Sequence, residues 1–308
     1  MMSKITLNQL QLLVRVVETG GFSAASAELG CTQSRISHGI AQLERYVGTR
    51  LLDRSRSGCR PTNAGQRIVA QAKEVLSLVA RIPDDHSSTS APVRGTVRLA
   101  CIRSAAVHLI PQVIVALERR HPDIHVELDD GCRDYGEVIL RVENGSADLG
   151  VTRGPVRSQL LSRPYVCDPY VVIAPASIPF SSPVRWEELS QLPFIHLQQP
   201  GAQWIVKQCQ AMGCTQSPSR ELSSECGVMA MVARGLGFAV LPRLTTFPPA
   251  PGTQLLDLPT AINRQLIIVT QPATARADRV SAVIATLLDK AVLTDTDAWR
   301  AGTFTLDD

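Results

Sequence analysis

Residues 22–48 read FSAASAELGCTQSRISHGIAQLERYVG, and where the polar residues fall in that stretch decides the fold. Ile36, Ile40, Leu43 and Val47 recur at intervals of four, three and four, which puts them on one face of a helix. Gln33, Ser34, Arg35, Ser37 and His38 crowd the first turns of the same helix, mostly off that face. Upstream, Leu10, Leu13, Val14 and Val17 mark a first helix over residues 7–18, stopped by Thr19, Gly20 and Gly21. Ser23 is the expected N-cap of a second helix, its hydroxyl meeting a free backbone N–H. Ala24 and Ala25 are small enough for close helix approach, and a larger residue there should cost about 1–3 kcal/mol by overpacking. Leu29 points inward, Gly30 ends the helix and Thr32 caps the next. The pattern is helix, short turn, helix.

A helix that keeps short hydrogen-bonding side chains at its N-terminal end suits the major groove of DNA, roughly 12 Å wide. Gln pairs with adenine, Arg with guanine, and the helix N-terminus meets a phosphate. The basic segment LLDRSRSGCRPT follows. Its Arg54 and Arg56 are candidates for phosphate or minor-groove contact as a wing. A further helix is expected over residues 63–82, with Ile68, Ala72, Val75, Val79 and Ile82 at heptad spacing. That stripe is either a dimer seam or a face packed on its own domain.

Charge agrees with a polyanion partner for this end. Residues 1–81 hold eleven Lys/Arg against five Asp/Glu, a net +6, while the rest of the chain is −3. A basic end on a slightly acidic chain suggests a polyanion partner for that end, the alternative being a simply solvated surface. No apolar segment behind a basic start indicates a signal peptide, and no run of 18 apolar residues indicates a membrane span, so a cytoplasmic protein with no membrane partner is expected. Eight cysteines without framework spacing read as reduced thiols.

The pattern changes after PDDHSSTSAPVRG, residues 83–95, a hinge by composition. Beyond it TVRLAC, IHVELDD and LGVTR read as strands, separated by the helical runs HLIPQVIVALERRHPD and YGEVILRVENGSAD. YVVIAPA, PFIHL, FAVLP and QLIIVTQ read as later strands, and QWIVKQCQAMG, GVMAMVARGLG and ADRVSAVIATLLDKAV as later helices. Repeated β–α–β logic predicts a parallel, doubly wound sheet in two lobes with a ligand cleft between them. The domains expected are 1–62, DNA-binding; 63–82, linker helix; 83–95, hinge; 96–293, two-lobed α/β; and 294–308, an acidic, weakly patterned tail.

These residues resemble the LysR-type transcriptional regulators. FSAASAELGCTQSRISHGIAQLERYVGTRLLDRS is similar to that family's winged helix-turn-helix, and PTNAGQRIVAQAKEVL to the start of its linker helix. GTVRLACI, LIPQVIVALERRHPDIHVEL, GSADLGV and VARGLGFAVLP resemble its periplasmic-binding-protein-like effector domain. The resemblance implies double-stranded DNA contacts at Gln33, Ser34, Ser37, His38 and Arg54. It implies a small-molecule effector lined by Ile102, Arg103, Ser104, Gly131, Cys132, Thr152, Arg153, Gln198 and Gln199. It also implies dimers joining into tetramers and an action on RNA polymerase. Ser34 stands where the family often has Pro, His38 and Arg103 where it often has Arg and a small residue, Leu52 where Phe is usual and Pro61 where Leu is usual.

Arg103 and Arg153, if both face the cleft, favour an anionic effector, since guanidinium pairs a carboxylate through two bonds. Cys209 and Cys214 raise a redox alternative, weighed against buried inert thiols. An enzyme or a solute-binding protein is the different-class alternative. GFSAA departs from the G-x-S-x-G elbow and GLGFAV lacks the third glycine of a dinucleotide fingerprint. No phosphate loop, H-E-x-x-H or zinc spacing appears, so neither catalytic residues, nor a metal, nor a resident cofactor is expected.

Overall fold

The computed structural model describes residues 5–55, 58–81, 93–156, 159–199 and 203–306, which separate near residue 91 into two units. In the first, helix α1 (Leu7–Thr19) is opened by Thr6 and Gln9, each side chain accepting from the other's backbone N–H, and closed by Gly20 at φ +75°. Helix α2 (Phe22–Leu29) begins on Gly21 without a side-chain cap. Ser23 is therefore not its N-cap; Phe22, half-buried against the core, already lies in the helix. Ala25 is fully buried while Ala24 is exposed, so only Ala25 serves the close helix approach.

Helix α3 (Gln33–Val47) is capped by Thr32, whose hydroxyl accepts from the Arg35 N–H at 3.3 Å. Ile36, Ile40 and Leu43 are fully buried and Val47 half-buried. With Leu12, Leu13 and Val16 of α1 they form the core of this unit. The hairpin of β1 (Leu52–Ser55) and β2 (Gly58–Pro61) follows. Glu44 of α3 fixes its root, accepting from the Leu51 and Leu52 N–H groups at 2.7 and 3.3 Å.

Helix α4 (Asn63–Arg81) starts against that root. A Cβ at Gly65 would lie 2.0 Å from the Leu51 carbonyl oxygen, so only glycine permits the approach. Ala72 is buried, and Ile68 packs half-buried on the same core, whereas Val75 is 39% exposed. The heptad stripe is thus split: its first two members are spent on this unit, and a dimer seam is left with Val75 and the half-buried Val79. Ile82 and most of the expected hinge lie outside the described residues.

Among the described residues, the second unit holds one seven-stranded sheet and a two-stranded one. The first lobe uses β3 (Gly95–Cys101), β4 (Ile124–Asp129) and β5 (Leu149–Arg153), mutually parallel. They are joined through α5 (Arg103–His108), α6 (Ile110–Arg120) and α7 (Tyr135–Glu143). The chain leaves this lobe on the long strand β6 (Leu161–Pro175). It then builds α8 (Trp186–Leu189), β7 (Ile195–Leu197), α9 (Gln203–Ala211), β8 (Arg220–Leu222), α10 (Glu225–Ala233), β9 (Ala239–Pro242) and β10 (Thr253–Asp257). It returns on β11 (Asn263–Thr270) and ends in α11 (Asp278–Leu287), α12 (Lys290–Thr294) and α13 (Asp297–Arg300).

The expectation of a wholly parallel sheet is corrected here. β6 runs antiparallel to β9, β10 and β11, and β11 antiparallel to β5. The reason is the route: the chain crosses to the second lobe on β6 and back on β11, so the two crossings oppose each other. Separate apolar cores lie on either side, one around Leu99, Leu149 and Val283, the other around Phe194, Val172 and Phe238. Phe194 and Phe238 stack at 4.9 Å. Residues 294–306, expected as a weakly patterned tail, are packed into the fold. Ala298 and Phe304 are buried in the first lobe's core and Thr305 bridges to Cys167.

Candidate functional site

Two places carry chemistry. The first is the outer face of α3. Gln33, Ser34, Arg35 and His38 are exposed and Ser37 is half-buried. Residues four apart on a helix are neighbours, so Gln33 with Ser37 and Ser34 with His38 form one polar surface opposite the buried stripe. Among the described residues, no hydrogen bond or ion pair engages the side chains of Gln33, Ser34, Arg35 or His38. Such groups are solvated and ready to exchange water for a partner. Other charges of this unit are spent internally: Arg15 pairs with Glu28 at 2.8 Å and Lys73 with Glu18 at 2.7 Å. Arg54 lies on β1, its backbone opposite Cys59, and Arg56 lies outside the described residues.

The second place is a cleft of about 200 Å³ between the two lobes of the α/β unit. Of the expected effector residues, Ile102, Arg103, Ser104, Cys132, Gln198 and Gln199 line it. Gly131, Thr152 and Arg153 do not. Gly131 is exposed beside it, its N–H donating to Asp129 at 3.1 Å. Thr152 is fully buried and donates its hydroxyl to the Tyr135 carbonyl at 3.0 Å. The Arg153 guanidinium stacks 4.8 Å from the Tyr135 ring and 4.7 Å from the Trp204 ring. Tyr135 begins α7 in the first lobe and Trp204 lies on α9 in the second. Arg153 therefore ties lobe to lobe, and the expected pair of arginines on one ligand reduces to Arg103 at the mouth.

The floor of the cleft is a cluster that the sequence pattern does not announce. Arg264 opens β11 directly opposite Asp168 of β6. Both are buried, 4% and 0% exposed on their side chains, with Arg264 Nη2 2.6 Å from Asp168 Oδ2. Arg264 Nε donates to the same carboxylate at 2.7 Å, Nη2 to the Ser104 hydroxyl at 2.7 Å, and Nη1 to the Tyr135 hydroxyl at 3.1 Å. Asp168 Oδ1 also accepts from the Leu244 N–H at 3.0 Å. Burial pushes the Asp168 carboxyl up from the ordinary carboxylate value, against the pull of Arg264 and the Leu244 N–H. One guanidinium thus links groups from both lobes where the crossing strands meet. Its charge is compensated by Asp168, so it holds the cleft together without leaving a free cation in it.

Arg133, Asp134, Ser223, Glu225 and Thr245 complete the wall and were likewise unexpected. The available signal was an acid and a base within two otherwise apolar strand runs, YVCDPYVVIAP and NRQLIIVT. Among the described residues there is no cluster of three His, Cys, Asp or Glu that would hold a metal ion, and no helix long and apolar enough to cross a membrane. The eight cysteines are free thiols. Cys209 is fully buried and Cys214 4% exposed. Burial pushes the Cys209 thiol up to about 12 and raises that of Cys214.

Comparisons with known proteins bear on both places. Residues 7–66 match the profile of the bacterial regulatory helix-turn-helix proteins of the lysR family, and residues 90–292 that of the LysR substrate binding domain. A probable HTH-type transcriptional regulator, LrrA of Synechococcus elongatus, is 33% identical over 262 residues, covering 84% of this chain and 88% of that one. A full-length OxyR variant from Pseudomonas aeruginosa superposes with a TM-score of 0.73 at 22% identity, over 96% of this chain and 98% of that one. CbnR, solved in complex with its target DNA, superposes with a TM-score of 0.69 at 17% identity, over 92% and 98% of the two chains.

Proposed function

The chain belongs to the LysR family of bacterial transcriptional regulators, and we propose that it reads a DNA half-site with the outer face of α3 while a small ligand in the α/β cleft sets its activity. The observation that carries this is the division of α3. One face is sealed into the core at Ile36, Ile40 and Leu43, and the other presents Gln33, Ser34, Arg35 and His38 without partners among the described residues. A helix so divided is fixed to its scaffold and free toward a groove. The basic excess of residues 1–81 supplies attraction to phosphate.

The ligand half of the proposal rests on the cleft. Arg103 is exposed at its mouth, without an ion-pair partner among the described residues, and is the place for an anionic group of the ligand. Arg153, between Tyr135 and Trp204, responds to the separation of the lobes and so couples occupancy to closure. A ligand acts only if it binds two states unequally. Closure would then shift paired DNA-binding units in a dimer or tetramer, alter DNA bending and change access for RNA polymerase, all in the cytoplasm. The protein is a sensor in this reading, and a bound ligand is released unchanged.

The test is to map genomic binding sites, screen small carboxylates suggested by the adjacent genes, and footprint one site with and without a ligand that binds. A ligand-dependent change in footprint or bend is expected. Binding of neutral compounds alone removes the anionic mouth, and an unchanged footprint and bend removes the coupling.

A further inference from the structure

The cleft does not end at Arg264. It continues into a chamber of about 50 Å³ bounded by Tyr170, His196, Ile205 and Val240, reached past Tyr135 and Glu225. At roughly 10–15 Å³ for each water-sized position, the chamber takes a group of a few non-hydrogen atoms. His196 stands on β7 with 2% of its surface exposed, and its Nε2 is enclosed without a hydrogen-bond partner. Buried polar nitrogens are almost always paired; His196 belongs to the chamber wall, and its enclosed Nε2 is the polar atom of that wall left for a partner from the ligand.

The surrounding charges decide what that partner is. Arg264 is committed to Asp168. Glu225 accepts only from the Gln199 amide, at 3.4 Å, among the described residues, so the entrance to the chamber is negative. A carboxylate moving inward meets Glu225, while Arg264 is already paired and Arg153 is held in the stack between Tyr135 and Trp204. An ammonium passing Glu225 loses its water against Ile205 and Val240, a far larger cost than burying a neutral group that finds its hydrogen bond. Burial also keeps the His196 ring neutral, holding its pKa below the ordinary value. A neutral imidazole nitrogen donates or accepts according to tautomer.

We propose that this chamber is the inner subsite of the cleft and that His196 selects a ligand ending in an uncharged hydroxyl, carbonyl or amide on a ring or short apolar stem. The proposal rests on the reading of the cleft as the ligand site. Together the two ends describe the ligand class: an anionic group at the Arg103 mouth and a neutral hydrogen-bonding group some atoms away.

Phenol and toluene are suitable probes, since they differ by a hydroxyl in place of a methyl. The full chain, labelled with ¹⁵N-histidine and ¹³C-tyrosine, is titrated with each by NMR. Phenol is expected to move the His196 imidazole signals, assigned by their loss in His196→Gln, together with those of Tyr135 and Tyr170. The phenol-to-toluene affinity ratio should fall about 10-fold in His196→Leu and be retained in His196→Gln, which keeps a hydrogen-bonding group. If phenol moves Tyr135 while His196 stays still, or if His196→Leu keeps the ratio, the role of His196 is overturned and the cleft reading stands. If neither compound moves any of the three residues at its solubility limit, the cleft reading falls and the proposal with it.

Discussion

The outer face of α3 and the crossing of β6 with β11 handle polar side chains in opposite ways. On α3 the side chains of Gln33, Ser34, Arg35 and His38 are exposed and unpartnered among the described residues, and their neighbours one turn away are sealed in the core. At the crossing, Asp168, Arg264 and Ser104 are buried and, with the half-buried Tyr135, share one hydrogen-bonded network. A polar group left in water costs the fold nothing and waits for a partner. A polar group taken out of water must be paired, so the ligand groups proposed above are met by what the network leaves over, among it Arg103 in the cleft and His196 Nε2 in the chamber wall.

The sharpest way to break this contrast is to remove one charge from the crossing. Arg264→Met leaves the Asp168 carboxylate buried without its cation, and such losses run to about 3–5 kcal/mol. All three tryptophans, Trp186, Trp204 and Trp299, belong to the α/β unit, so their fluorescence in urea reports that unit alone. Adding Asp168→Leu to Arg264→Met should recover much of the loss, because the orphaned charge is then gone. A loss under about 1 kcal/mol for Arg264→Met alone places it outside the range for a broken buried pair and means the cluster is better hydrated than its burial indicates.

On α3 the same kind of change should leave stability untouched and act on DNA. Gln33→Ala is expected to weaken binding to the mapped site by about 1–3 kcal/mol, with relaxed preference at one base position. Arg35→Ala, if it meets phosphate, weakens all sequences alike and lowers the salt slope by about one. Fluorescence anisotropy on labelled duplexes at several salt concentrations separates the two. Equal affinity of the Gln33 variant for specific and scrambled DNA relative to wild type, with no change in either, removes α3 as the reader.

The contrast also explains what could be read in the sequence. The stripe Ile36, Ile40, Leu43 and Val47 and the cap at Thr32 are local, and helical periodicity states them outright. The start of α2 slipped from Ser23 to Gly21 because a half-buried Phe22 outweighs a good capping residue. Strand positions were legible from apolar runs, but strand direction is not written in them, and the antiparallel crossing had to be seen. Asp168 and Arg264 are 96 residues apart, and nothing in either run names the other. Resemblance pointed to Thr152 and Arg153 in the right neighbourhood. Along a strand successive side chains face opposite ways, and these two engage Tyr135, Thr152 through its carbonyl and Arg153 through its ring.

A smaller effect tests the enclosed end by pH. Burial lowers the pKa of His196 and of His108 below the ordinary 6.5, with Glu221 opposing the shift at His196. The unfolded chain therefore takes up protons on these rings before the folded one does. Stability is full above about pH 6.5 and falls as the pH drops below it, until the folded rings also titrate. His196→Gln removes that residue's share, so its unfolding free energy should decline less between pH 7.5 and 5 than that of the wild type. Parallel declines mean His196 is hydrated in the folded protein.

The weakest effect expected is none at all. Cys209 and Cys214 sit in the second lobe's apolar core, and a thiol held up at about 12, as at Cys209, has almost no thiolate at neutral pH to attack peroxide. Exposure to peroxide should leave DNA binding unchanged, even though an OxyR variant shares the fold. Cys226, exposed on α10, is the thiol that oxidants and alkylating reagents reach first, so Cys226→Ser is the control. A peroxide response that survives Cys226→Ser but disappears in Cys209→Ser or Cys214→Ser would mean that the second lobe opens far enough to expose its core. Its interior would then be no more sealed than the face of α3, and the division between an enclosed site and an open one would not hold in solution.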